Sequence, residues 1–362
     1  MHRFKPLASY RYDTALVGPD KIILPPAALR IGELIRDEEL GYYLYQMSFE
    51  DRKGHTQRLE GVFGILEFVG RTTDALKFDA SDESNYSPDH ILVHEQTIGP
   101  KSPVITADLD TLIARPGTGP IWAISAQSKL KAQEIPRGPS LASIVDGSGV
   151  THQVWHIVEK EQLTHIRSAV ETSQLIIADG HHRIARAMRI LSGSTPENTV
   201  RLLCFVTDLD PLQAEIRPIH RCFKTKLNEE DVLERLAERF RVEPYEHPDL
   251  SNGHVADALL LVMRHRVFKV IPIHEDPKLN DAVLSQTIAK LLEAKSTQYI
   301  TEIQKLHDKV LSDPTKVGLV TRPLTINQIR IAAFGRNPLP PKSTMFYPKP
   351  LPGLIFGDKL NL

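Results

Sequence analysis

Through the first two-thirds of the chain, short apolar blocks alternate with polar ones. Residues 42–47, 61–68, 120–125, 151–158, 174–178 and 202–207 are rich in aromatic and branched side chains, which fit a pleated, half-buried surface, and predict six strands. Between them, residues 107–114 and 161–171 carry apolar positions at helical spacing, as Leu163, Ile166 and Val170 do. Strands and helices in this mixed order predict an α+β (mixed α/β) fold. Further along, Asn228 stands where it can cap a helix whose Val232, Leu233, Leu236 and Phe240 form one apolar stripe. Residues 280–293 and 300–311 predict two more helices. The expected organisation is a sheet-and-helix core over residues 1–225 and a more helical C-terminal lobe over 226–362. Residues 338–355 hold too many prolines for a regular element, since each removes a backbone donor and fixes its own φ. That tail is expected to run extended and to pack back on the core.

Composition acts mainly by exclusion. With 41% apolar and 25% charged residues the chain has the make-up of an ordinary globular protein. Lys plus Arg number 44 against 45 for Asp plus Glu, so no global field draws it to nucleic acid or to an anionic membrane. No apolar run is long enough to span a bilayer, and the first residues lack the apolar stretch of a signal peptide. A cytoplasmic location is the expectation. Cys204 and Cys222 have neither a disulfide framework nor a metal-site spacing, and read as reduced core residues.

Candidate chemistry concentrates after residue 178. The apolar strand stops at Asp179-Gly180, and Ile184, Ala187, Met188 and Leu191 then repeat at helical spacing. The loop therefore meets a helix N-terminus, where the dipole is positive and backbone N–H groups favour an anion, above all phosphate. Gly180 lets a ligand approach the backbone closely. Asp179 can cap the helix, orient a histidine, hold a metal ion or take a proton from a substrate hydroxyl. His181 and His182 are adjacent, so they diverge and do not chelate one metal, while Arg183 and Arg186 share a helix face. The plainer alternative is a capped Asp-Gly turn with partly buried histidines; two histidines and an arginine directly behind it weigh towards an anion site.

Three other segments stand out. In the run His94-Glu95-Gln96-Thr97, Glu95 suits a general base, with His94 or Thr97 beside it for orientation or substrate binding. A solvated loop is the plain alternative. Arg217, His220 and Arg221 fall within five positions and suit a carboxylate or phosphate, or else a solvated turn. Lys342, Ser343 and Thr344, with Lys349, present the same choice.

Taken together, these segments resemble the bacterial and archaeal family catalogued as domain of unknown function 1015. The resemblance is carried in order by His94-Glu95-Gln96-Thr97 with Pro100-Lys101, by Ile177-Ala178-Asp179-Gly180-His181-His182-Arg183, by Pro218-Ile219-His220-Arg221, and by the run from Pro341 to Lys349 with Gly353-Leu354. The Asp-Gly-His-His-Arg segment in turn looks like the phosphate-binding loop of ParB-like and sulfiredoxin-like proteins, which implies a ParB/sulfiredoxin-like core. One branch of the family is, by resemblance, an ATP-dependent free serine kinase. The resemblance thus implies a nucleotide-dependent kinase acting on the hydroxyl of free serine or a similar small metabolite, with Mg²⁺ and ATP or ADP. Glu95, Asp179 and His182 are then the catalytic candidates, Asp179 doubling as a candidate Mg²⁺ ligand. Gly180, His181 and Arg183 would hold phosphate, and His94, Thr97, Arg217, His220, Arg221, Lys342, Ser343 and Thr344 the substrate. The alternative within the same resemblance is a ParB-like protein that binds or hydrolyses nucleotide as a regulator. A sulfiredoxin-like reductase needs a reactive cysteine, and neither cysteine adjoins Asp179. A metal-dependent hydrolase lacks a ligand spacing such as H-x-x-x-H. Two departures concern the acceptor: Ile184 and Ala185 stand where family members usually have Tyr and often Glu, and the usual Pro-Pro-Tyr-Asp is split between Tyr12-Asp13 and Pro25-Pro26.

Overall fold

The computed structural model describes residues 2–18, 22, 33–69, 90–97, 119–192, 199–210, 213–246, 258–274 and 280–357. The helix expected over 107–114 and the pair Pro25-Pro26 lie outside these residues, as does the side chain of Arg186. Two compact units result: Met1–Glu215 with Ala333–Asn337 and Phe346–Leu362, and Ile216–Ala332 with Pro338–Met345.

The first unit contains β1 (His2–Lys5), β2 (Tyr10–Tyr12), β3 (Leu34–Arg36), β4 (Tyr42–Glu50), β5 (Thr56–Val69), β6 (Ile91–Val93), β7 (Ile121–Ser125), β8 (Ala142–Val145), β9 (Thr151–Ile157), β10 (Leu175–Asp179) and β11 (Thr199–Asp208), with helices α1 (Lys160–Glu171) and α2 (His181–Ser192). Its large sheet runs β6-β10-β7-β11-β5-β4-β9-β8, with β1 added on β5. The sheet is mixed: β6–β10 and β7–β11 are parallel, whereas β7–β10, β5–β11 and β4–β5 are antiparallel. All six strands expected from the apolar blocks are present. Tyr42, Tyr43, Leu44 and Tyr45 are all buried, so β4 is covered on both faces, as its unbroken apolar run requires. Helix α1 buries Ile166, Ala169 and Val170, and β1 is tied to its end where the Phe4 N–H donates to Glu171 Oε1 at 2.9 Å.

After β12 (Glu215–Arg217), the second unit comprises β13 (His220–Lys224), β14 (Phe240–Pro244), β15 (Leu259–Val262), β16 (Val267–Pro272), β17 (Ser296–Ile300) and β18 (Lys316–Val320). These form an antiparallel sheet of order β14-β16-β15-β18-β13-β17. Its helices are α3 (Glu229–Ala237), α4 (Asp281–Leu291), α5 (Ile303–Ser312) and α6 (Ile326–Phe334). The expected cap is in place, Asn228 Oδ1 accepting from the Asp231 N–H; Asn280 proves to cap α4 in the same way, its Oδ1 accepting from the Ala282 and Val283 N–H groups. The six-stranded sheet between these helices had no counterpart in the sequence pattern: Ser296–Ile300 is polar and largely exposed, and buried apolar runs as short as Leu259–Val262 do not by themselves distinguish a strand from a buried helix segment.

In the proline-rich stretch the one named strand is β19 (Met345–Tyr347). From Phe346 onward it belongs to the first unit, where Phe346, Leu351, Leu354, Ile355 and Phe356 are buried. Both cysteines are free and buried, and burial pushes both thiols up, so neither is a ready thiolate. Among the described residues no helix is long and apolar enough to cross a membrane.

Candidate functional site

Strand β10 lies between β6, parallel to it, and β7, antiparallel to it. Its ladder with β7 shifts between Ile177 and Asp179, a bulge at the point where the strand hands over to α2. Gly180 makes the handover at φ +95°, and a Cβ there would lie 2.5 Å from Ile121 Cδ1. Both conformation and space therefore demand glycine. The Gly180 carbonyl accepts from the N–H groups of Arg183 and Ile184, each at 3.0 Å, which makes Gly180 the cap residue and His181 the first of the helix. Ile184 and Ala187, each 1% exposed, fix α2 to the sheet.

Asp179 sits between two cations. Lys349 Nζ donates to Oδ1 at 2.8 Å, and Arg183 Nη2 donates to Oδ2 at 3.3 Å and to the Pro120 carbonyl at 3.1 Å. Burial acts to raise the Asp179 pKa, but the Lys349 charge and hydrogen bond, with Arg183, outweigh it and hold the carboxyl below its ordinary value. The group is ionised at neutral pH.

His94, fully buried, places Nδ1 2.8 Å from the Ile177 carbonyl. A carbonyl only accepts, so Nδ1 carries the proton and Nε2 the lone pair. Burial, helped by the neighbouring His181, pushes its pKa down to about 3, and the imidazole is neutral. Its ring meets that of His181 edge-on at 4.8 Å and that of Phe346 at 6.0 Å. Phe346 also packs on Trp122 at 5.5 Å, whose indole donates to Thr207 Oγ1.

Because β6 runs parallel to β10 with Val93 opposite Ile177, Glu95 and Asp179 each lie two residues beyond that pair. The two expected carboxylates thus come to the same end of adjacent strands, which no spacing in the chain could reveal. Glu95 is 8% exposed, and His181 also 8%. Thr97 Oγ1 is buried with no hydrogen-bond partner among the described residues, an arrangement a bound ligand or water would satisfy.

The structure gathers His94, Glu95, Thr97, Asp179, Gly180, His181, His182 and Arg183 into the first unit. Arg217, His220, Arg221, Lys342, Ser343 and Thr344 belong to the second. There His220 is 1% and Arg221 3% exposed. The Arg221 guanidinium donates to the carbonyls of Ile219 and, at 2.8 Å, Lys342, and lies over the Tyr299 ring at 4.7 Å. His220 Nδ1 accepts from the Thr321 N–H at 3.1 Å, and Ser343 Oγ donates to the Pro340 carbonyl at 2.5 Å. Among the described residues no group of three or more His, Cys, Asp or Glu side chains is placed to hold a metal ion.

A family model described as "Protein of unknown function (DUF1015)" matches residues 27–306. The chain belongs to that family. The matched span contains both basic clusters and ends before Lys349. Among solved structures, the chain is similar to a free serine kinase in complex with ADP, at 17% identity and a TM-score of 0.41, covering 75% of this chain and 90% of that one. It is also similar to a conserved hypothetical protein from Pyrococcus furiosus (15% identity, TM-score 0.39, 74% and 91% covered). A third is SbnI with a C-terminal truncation from Staphylococcus aureus (13%, 0.39, 74% and 84%). No curated protein matches the chain.

Proposed function

We propose that this member of the family is a nucleotide-dependent small-molecule kinase, transferring a phosphoryl group to the hydroxyl of free serine or a similar metabolite. The observation that carries the reading is the end of β10, where a glycine-capped helix N-terminus, two cations and a neutral buried imidazole stand beside the Glu95 strand end. Asp179 contributes one negative charge there and Arg183 and Lys349 two positive ones, so the trio is net positive and sits at the positive end of a helix. An anion is the ligand such a field favours.

Phosphoryl transfer asks mainly for positioning and charge stabilisation. In this reading Gly180, His181 and Arg183 hold the nucleotide phosphates, and His182 stabilises the group in flight. Glu95 takes the acceptor's proton as its oxygen bonds to phosphorus; the bridging P–O bond breaks and the shortened nucleotide leaves. His94, neutral and fixed in one tautomer, and Thr97 orient the acceptor. Such an enzyme would work in the cytoplasm, on a ParB/sulfiredoxin-like core. Mg²⁺ fits only as a companion of the nucleotide: both Asp179 oxygens already face cations, and the described residues offer no ready cage.

The test is incubation with ATP or ADP, Mg²⁺ and a pool of hydroxylated metabolites, serine first, with products read by mass spectrometry. Phosphoserine is the expected product, and Glu95→Gln is expected to lower turnover by about 10²–10⁴-fold with nucleotide affinity retained. Absence of product, together with unchanged nucleotide affinity in Asp179→Ala, would end the kinase reading. Nucleotide hydrolysis with no phosphorylated metabolite would favour a ParB-like regulator instead.

A further inference from the structure

The Asp179 carboxylate is engaged on one side by its own helix and on the other by a residue 170 positions away. That residue, Lys349, is an unusual partner. Its side chain is 52% exposed, yet its backbone is held on both sides. Upstream, Phe346 is buried against Trp122 and His94; downstream, the Leu351 N–H donates at 3.0 Å to the hydroxyl of the buried Tyr45. Pro348 and Pro350, both buried, flank it and fix their own φ angles. An exposed ion pair adds little to stability, so this support exceeds what the pair needs for its own sake. An ammonium has three donors, and Asp179 takes one; among the described residues the others have no protein acceptor. They project from an exposed side chain next to the start of α2.

We infer that Lys349 is an anion-binding residue of this site, donating to the nucleotide's phosphates, and that Asp179 is its positioning residue rather than a metal ligand. The inference rests on the kinase reading for the identity of the anion, and adds to it a site residue supplied by the C-terminal segment. Asp179, ionised and fixed at the end of β10, aims the ammonium and the Arg183 guanidinium from opposite oxygens. Lysine serves here as a point charge, and arginine, longer and forked, replaces it only in part.

The experiment is calorimetric binding of ATP, ADP, adenosine and inorganic tripolyphosphate to the full chain, with and without Mg²⁺, for wild type, Lys349→Met, Lys349→Arg and Asp179→Asn. Lys349→Met is expected to weaken ATP, ADP and tripolyphosphate by about ten- to hundredfold, to leave adenosine unchanged and to flatten the salt dependence. Lys349→Arg should recover part of the loss. Asp179→Asn should weaken the same ligands equally with Mg²⁺ and with chelator, since a metal ligand would lose affinity only with Mg²⁺. Thermal melting of each variant controls for folding, and an exposed lysine is not expected to shift it. Wild-type binding with Lys349→Met within twofold of it overturns the inference and leaves the kinase reading standing. Loss confined to Mg²⁺ in Asp179→Asn overturns the positioning role. A wild type that binds neither nucleotide nor tripolyphosphate overturns both.

Discussion

His94 and His220 are both buried histidines beside an arginine-bearing cluster, and they are wired in opposite senses. His94 donates from Nδ1 to the Ile177 carbonyl, whereas His220 accepts at Nδ1 from the Thr321 N–H. One therefore keeps its lone pair on Nε2 and the other presents Nε2–H. The arginines differ likewise. Arg183 is partly exposed at 20%, sharing a carboxylate with an exposed lysine, while Arg221 is spent on two carbonyls and an aromatic face inside its unit. As sequences, the two clusters invited the same reading of anion binding. What separates them is where the polar atoms go once their backbone neighbours are known: Lys349 holds an exposed ammonium at the start of α2, whereas the Arg221 guanidinium is committed to carbonyls and a ring inside its unit.

The largest expected effect is the pH dependence that His94 confers. The folded pKa of His94 lies at about 3 against an ordinary 6.5, so its contribution to stability is fully present above pH 6.5 and is lost as pH falls from there towards 3. The shift corresponds to about 3–5 kcal/mol across that window. Urea midpoints from pH 7 to 4 should therefore fall more steeply for wild type than for His94→Gln. Parallel curves would show that His94 is not held neutral by burial.

Arg221→Met comes next in size. Removing the guanidinium deletes its hydrogen bonds to the Ile219 and Lys342 carbonyls and its contact with the Tyr299 ring, with an expected cost of about 2–4 kcal/mol in chemical denaturation. If Arg221 is chiefly architectural, nucleotide affinity of the folded variant stays at the wild-type level. A drop in affinity beyond any unfolded fraction would move the second cluster into the binding machinery and erase the contrast.

Gly180→Ala should have the smallest effect on stability, about 1–3 kcal/mol from the strained φ, although the crowding at Ile121 adds to it. Its signature is an accompanying loss of anion affinity as the helix start shifts. Stability lost with affinity kept would make Gly180 a turn residue only.

Much of this was readable from the chain. The six apolar blocks became strands because their branched and aromatic residues are buried in a mixed sheet, and Asn228 caps its helix as a short polar side chain does. The second unit's sheet was not readable, since its strands are short: apolar runs such as Leu259–Val262 and Lys316–Val320 carry no period that separates a strand from a buried helix segment, and Ser296–Ile300 is largely exposed. Within the site, the turn at Gly180 was legible because a strand, an Asp-Gly pair and a helical repeat follow one another locally. The Lys349 partnership was not, because nothing near Lys349 in sequence marks Asp179.

By itself, then, the sequence determined local things: which segments extend or coil, where a helix starts, and that a positive helix end carries histidines and an arginine. Those depend on periodicity and on side chains within a few residues, where backbone geometry is set. Tertiary structure alone decided that Glu95 ends beside Asp179, that His94 is neutral and in which tautomer, and that Lys349 completes the charge balance. Each of these is fixed by strand pairing, by burial or by a hydrogen bond between distant residues, and the energies involved exist only once the chain has closed on itself.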